Sequence, residues 1–160
     1  MNEKFMKEAI KLAEENASSS FIEGGPFGAV VVKDGKIIGR GKNRVLIDND
    51  PTAHAEIVAI RDACKNLKTY NLKDCKLYTN CFPCSMCLSS IIWANIKTVY
   101  YGNKIEDIVK LKFRDGEVYD VINDIYLEKN SQMVKLVPLM REEATKTLEK
   151  FEKYSKKELY

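Results

Sequence analysis

The chain has 160 residues, 45% of them hydrophobic, which is enough for one domain with its own core and short for two. Its 26 basic and 23 acidic residues leave a formal charge of +3, spread along the chain, so no concentrated basic patch calls for a nucleic acid partner. Apolar runs such as 29–32 and 91–94 fall far short of the ~20 residues that a membrane span needs, and the amino terminus has no basic-apolar leader, so a cytoplasmic protein without a membrane partner is expected.

Phe5, Met6, Ala9, Ile10, Ala13 and Ala17 recur at three- and four-residue spacings behind Asn2, which predicts an amphipathic helix over 5–17. After Gly24-Gly25-Pro26, apolar residues 27–32 meet Asp34-Gly35 and then 36–41, the signature of two antiparallel strands joined by a two-residue turn. A polar loop through Asn43 and 48–51 leads to Thr52, read as the cap of a helix over about 54–66. Then come a strand over 76–79, a helix over 83–94 and a strand over 97–101. Strands alternating with helices imply parallel neighbours. Beyond Gly102 the pattern weakens: a charged segment over 104–115, an ambiguous apolar pattern over 118–127, a fifth strand near 133–137, and a mixed-charge helix over 142–157 carrying Leu148, Phe151 and Tyr154. The expected architecture is a single α/β domain over 1–160, a three-layer α/β/α sandwich around a mixed five-stranded sheet.

Reactive groups concentrate in two segments, Pro-Thr-Ala-His-Ala-Glu-Ile at 51–57 and Cys-Phe-Pro-Cys-Ser-Met-Cys at 81–87. His54 is the single histidine of the chain, so any mechanism that needs two imidazoles is excluded. Pro83 fits the first turn of a helix, which places Cys84 and Cys87 in that turn or just beyond it, on one face. The partial positive charge of a helix start favours the thiolate that a metal requires. With His54 at the start of the preceding helix, one imidazole and two thiolates make three corners of a tetrahedral zinc site and leave the fourth to water, the arrangement of catalytic rather than structural zinc. Glu56 is then the proton shuttle. The rival is a closed site with Cys81 as fourth ligand in a zinc-stabilised binding module. An iron–sulfur cluster would need Cys64 or Cys75, which read better as small buried residues.

His-x-Glu followed by Pro-Cys-x-x-Cys matches the zinc-dependent nucleobase deaminase signature. Together with Gly-Gly-Pro-Phe-Gly-Ala-Val-Val-Val-Lys-Asp-Gly at 24–35 and the segment 49–64, the chain resembles the cytidine deaminase-like superfamily, and within it the bacterial guanine deaminases, over nearly its whole length including the Ser-Lys-Lys-Glu-Leu-Tyr ending. The resemblance implies zinc on His54, Cys84 and Cys87, with Glu56 moving protons, in the hydrolytic deamination of guanine to xanthine and ammonia. It further implies substrate contacts from Asn43, Phe27, Ala55 at the helix end, Trp93, Asp115 in Phe-Arg-Asp-Gly, and Tyr160. A homodimer is expected, with the tail over about 140–160 crossing to the neighbouring subunit. A tRNA adenosine deaminase, or an enzyme for another aminated base, is the alternative. Residues 141–160 carry six basic and five acidic side chains, which argues against a tail built for phosphate. The chain departs from the family pattern at Phe82, where relatives commonly place glutamate, and at Ser85, where a different small residue or proline is frequent.

Overall fold

The structure is a computed structural model that describes residues 3–18, 23–110, 113–127, 134 and 136–154. Helix α1 (Glu3–Ala17) leads into the hairpin of β1 (Gly28–Lys33) and β2 (Lys36–Lys42). Asp34 and Gly35 both take positive φ, at 48° and 73°, the backbone that a two-residue turn between twisted strands requires. A short helix α2 (Val45–Asp48) precedes α3 (Ala55–Leu67); then follow β3 (Lys76–Cys81), α4 (Ser85–Trp93) and β4 (Thr98–Asn103). Helices α5 (Ile105–Val109), α6 (Asp115–Tyr126) and α7 (Arg141–Tyr154) complete the elements.

The sheet has four strands in the order β2-β1-β3-β4, with β1 antiparallel to both of its neighbours and β3 parallel to β4. Among the described residues the expected fifth strand near 133–137 is not formed: Val134, Leu136 and Val137 take no strand conformation, and Met133 and Lys135 lie outside the described residues. Three further expectations are corrected. The cap of α3 is His54, while Thr52 turns back to Asp50, whose Oδ1 accepts from its amide at 2.8 Å and its hydroxyl at 2.7 Å. Pro83 precedes α4 rather than opening it. Finally, the loop after Asn43 holds α2, a single turn too short to register as periodicity.

Side chains alternate across β1 and β3, so each face of the sheet has its own core. Ala29, Val31 and Leu77 pack with Ala59, Ile60 and Ala63 of α3 and Ile91 of α4. On the other face Val30, Val32 and Tyr78 meet Phe5 of α1, with the Phe5 and Tyr78 rings 5.3 Å apart. Burial on both faces is why 29–32 is a continuous apolar run instead of an alternating one. On β2, a side chain on Gly39 would strike the carbonyl of Ala59, and one on Gly41 that of Ala55. These two glycines let α3 lie hard against the sheet from its first residue to Ala63.

Because β1 runs against β2 and β3, one end of the sheet gathers the start of β1 (Gly28 opposite Lys42) and the ends of β2, β3 and β4 (Cys81 opposite Asn103). Both α3 and α4 begin after strands that end there. Ligands bind α/β sheets at the carboxyl ends of strands for this reason.

By its contacts the chain divides into two units, the first ending at Val118 and the second starting at Tyr119. In the second, Leu136, Leu139, Met140, Leu148 and Phe151 are all exposed.

Candidate active site

His54 and Cys84 are the N-caps of α3 and α4, both in extended backbone (φ −68°, ψ 154° and φ −66°, ψ 171°), and neither side chain caps its helix. Helix caps ordinarily spend a side-chain oxygen on the orphan amides. Here the two positions hold an imidazole and a thiol that turn to each other: His54 Nδ1 lies 3.5 Å from Cys84 Sγ and 3.7 Å from Cys87 Sγ. The three donor atoms all lie within 4.8 Å of one another. A tetrahedral zinc ion with its usual bond lengths would separate nitrogen from sulfur by about 3.6 Å, so the spacing fits zinc without rearrangement. Cys81 is outside this group; its sulfur accepts from Asn103 Nδ2 at 3.5 Å, so the donor set is one histidine and two cysteines rather than the closed set of one histidine and three cysteines. Cys75 is buried in the core and Cys64 is packed against it, so neither serves a cluster at the site.

Glu56 stands at the second position of α3 and is 5% exposed. Because His54 precedes the helix in extended backbone, the two side chains escape the helical rotation that would send positions i and i+2 to different faces. Glu56 Oε2 is 3.4 Å from Cys87 Sγ, and Oε1 accepts from the Thr79 hydroxyl at 3.1 Å. Burial pushes the Glu56 carboxyl up from the usual carboxylate range. A hydrogen bond from Cys87, assisted by His54, holds the Cys84 thiol down at about 4 against the effect of its burial, and the same contact together with burial pushes Cys87 up.

Thr79 is a functional residue that the sequence reading missed. It is fully buried on β3, and strand parity puts it on the same face as Leu77. A hydroxyl at an apolar parity position was the available signal.

A cavity of about 280 Å³ opens beside these groups, near the lower end of the range for small-molecule sites. His54, Glu56 and Cys84 form part of its lining. Phe27, Phe82 and Phe113 supply apolar wall, the Phe27 and Phe113 rings meeting edge to face at 5.1 Å. Asn43, 4% exposed, also lines it; its Oδ1 accepts from the Val45 amide at 3.1 Å, and no described residue pairs with its Nδ2. The other expected contacts are placed differently. Ala55 is fully buried at the first position of α3, with no share in the lining. Trp93, at the end of α4, is 66% exposed and does not line this cavity. Asp115 opens α6; its side chain, and Tyr160 altogether, lie outside the described residues.

An imidazole, two thiols and a buried carboxylate at two helix starts, beside a small cavity at one edge of an α/β sheet, are the parts of a zinc-dependent hydrolase. Residues 1–103 match the family model described as cytidine and deoxycytidylate deaminase zinc-binding region. The chain is 51% identical over 122 residues to a guanine deaminase of Bacillus subtilis, covering 76% of this chain and 77% of that one. It is 40% identical over 150 residues to a tRNA-specific adenosine deaminase of Buchnera aphidicola, covering 92% and 91%. The crystal structure of the Bacillus subtilis guanine deaminase superposes on 100% of this chain and 99% of its own, with a TM-score of 0.89 at 41% identity. The chain belongs to the cytidine and deoxycytidylate deaminase family, and it is a zinc-dependent hydrolytic deaminase.

Proposed function

We propose that this enzyme deaminates guanine hydrolytically, yielding xanthine and ammonia. The observation that carries the reading is the placement of buried Glu56 beside the His54, Cys84 and Cys87 donor set at the edge of a cavity walled by phenyl rings and one side-chain amide. Guanine as the base is supported by the likeness to a guanine deaminase, which holds over the full length of both chains in three dimensions.

His54 Nδ1 and the sulfurs of Cys84 and Cys87 would hold zinc, which supplies Lewis-acid activation of water at neutral pH. Glu56 takes a proton from the attacking water, delivers it to the ring nitrogen next to carbon 2, and passes the second proton to the departing amine. Thr79, through its hydrogen bond to Oε1, keeps the other carboxylate oxygen turned toward the donor set. Phe27, Phe82 and Phe113 enclose the faces and edge of a planar base and exclude bulk water, while Asn43 Nδ2 donates to an acceptor on the ring.

Ala55, Trp93, Asp115 and Tyr160 complete the proposed substrate set: the backbone amide at Ala55 at the start of α3, and the Asp115 carboxylate as acceptor for the ring and amino protons of guanine. Trp93 and Tyr160 act within a homodimer whose tail over about 140–160 crosses between subunits. Exposed Leu139, Met140, Leu148 and Phe151 support that assembly, since a partner would cover them. The cytoplasm is the proposed location. No helix among the described residues is long and apolar enough to cross a membrane.

The test offers the zinc-loaded protein guanine, adenine, cytosine, cytidine and a tRNA anticodon stem, and follows ammonia. Release from guanine alone is the expected result. Release from the RNA alone would replace this reading with that of a tRNA adenosine deaminase.

A further inference from the structure

Asn16 is a polar residue on the buried stripe of α1, following Phe5, Ala9 and Ala13 at helical spacing, and it is 5% exposed. An amide in such a place needs partners that no apolar side chain could meet. Its Nδ2 donates twice, to the carbonyl of Gly25 at 2.9 Å and to that of Asn43 at 2.7 Å. Two carbonyls can be met by the amino group alone, so chemistry fixes the orientation of this amide. Gly25 and Asn43 are both in the cavity lining, and Phe27 between them is tied to each: its amide donates to Gly25 O at 2.8 Å, and its carbonyl accepts from the Asn43 amide at 3.0 Å. Asn80 continues the pattern, with Nδ2 on Pro26 O at 3.0 Å and Oδ1 on the Gly28 amide at 2.9 Å.

Apart from backbone bonds, among them those of the Leu46 and Ile47 amides to the Glu23 carbonyl at 3.0 and 3.1 Å, the other side-chain ties around Asn43 are weak. Lys42 and Arg44 on either side pair with Glu23 at 3.1 and 3.5 Å in partly exposed positions, where ion pairs contribute little. The buried double donation from Asn16 is therefore the firm side-chain tie between the turn over 24–26 and the strand end that carries Asn43, beside the backbone bond from the Asn43 amide to Phe27.

We infer that Asn16 is a positioning residue of the cavity. From the layer opposite α3 and α4 it sets Phe27 and Asn43 in register without touching the substrate. This rests on the reading of Phe27 and Asn43 as base contacts. It also makes α1, which bears none of the metal donors, the element that sets affinity.

The variant Asn16→Leu keeps the size of the side chain and removes both donors. In the zinc-loaded full chain, hydrogen exchange at the Phe27 and Asn43 amides should accelerate about tenfold, while the Val30 and Val31 amides in the centre of β1 stay as slow as before. KM for guanine should rise about tenfold, with kcat within about threefold and zinc content unchanged. Ala13→Gly, on the same helix face, serves as the structural control: it lowers thermal stability and leaves the ratio of KM to kcat in place. If Asn16→Leu does not fold, Asn16→Ser, which keeps one donor, should show half of the split on a logarithmic scale. Uniform acceleration of exchange, or an unchanged KM, would overturn the proposal. The exchange readout needs no substrate, so a failure of guanine as substrate leaves the Asn16 role decided by it, and KM is then measured with whichever base releases ammonia.

Discussion

The cavity has two sides of different construction. The floor is His54, Glu56 and Cys84, with Cys87 completing the donor set beside them, four reactive groups delivered by the first turns of two helices. The wall is Phe27, Asn43, Phe82 and Phe113, drawn from the start of β1, the end of β2, the exit of β3 and the segment before α6. Floor residues lie within three positions of one another in each motif, so local geometry alone sets most of their arrangement. Wall residues meet because β1 is antiparallel to both neighbours, and the side-chain amides of buried Asn16 and half-buried Asn80 tie the segments that carry them. Damage to the floor should therefore appear as lost chemistry, and damage to the wall as lost affinity.

Stripping the metal with a chelator attacks the floor as a whole. Turnover should vanish, and thermal unfolding should shift down by the linkage contribution, about 4 kcal/mol for an ion at a thousand times its Kd. Hydrogen exchange in the β1-β2 hairpin below the transition should stay slow; a hairpin that loosened with the metal would erase the distinction between floor and wall. Next in size is Glu56→Gln, which keeps an oxygen for Thr79 and removes the proton carrier. We expect kcat to fall about 10²–10⁴-fold, with zinc content by atomic absorption unaltered. Retention of near wild-type kcat would end the shuttle role.

On the wall, Asn43→Ala should raise KM about tenfold through one lost hydrogen bond while kcat moves little; steady-state kinetics beside zinc analysis checks this. Phe82→Glu, which puts a carboxylate in place of a phenyl ring, breaks the edge-to-face contact with Tyr101 at 5.1 Å. The expected loss is about 1 kcal/mol of stability, read by denaturant unfolding, with zinc retained. The smallest effect lies in the loop that leads to His54. Hydrogen bonds from the Thr52 hydroxyl and amide hold the Asp50 carboxyl below its ordinary value. A depressed folded pKa stabilises above the unfolded pKa, and the benefit fades as pH falls through the folded one. The midpoint difference between wild type and Asp50→Asn should thus be present at neutral pH and disappear under acid conditions.

Legibility in the sequence follows the same division. Helix α1, the β1-β2 hairpin, β3, α4 and β4 were readable because each carries a strong local signal: 3.6-residue spacing, a positive-φ turn pair, or an apolar run. The metal donors were readable because zinc demands particular atoms at short spacings. Thr52 was misread because it satisfies Asp50 and leaves the cap to His54, a choice settled by where the imidazole must go. A fifth strand was inferred from β-branched and apolar residues at 133–137, yet strand propensity depends on tertiary context, and the described residues of that segment take no strand conformation. Trp93 looked like a residue for an apolar pocket and is two-thirds exposed, since position 93 ends α4 on the side away from the core.

From the sequence alone came the chemistry: soft donors at helix starts, a carboxylate two residues after the imidazole, and the covered sheet that holds them, all consequences of interactions over a few residues. The tertiary structure decided which strand ends share an edge, that Thr79 restrains Glu56, and that an amide on α1 ties Gly25 to Asn43. Those contacts join residues 9 to 27 positions apart, and their energy exists only after the sheet has brought the segments together, so no local pattern announces them.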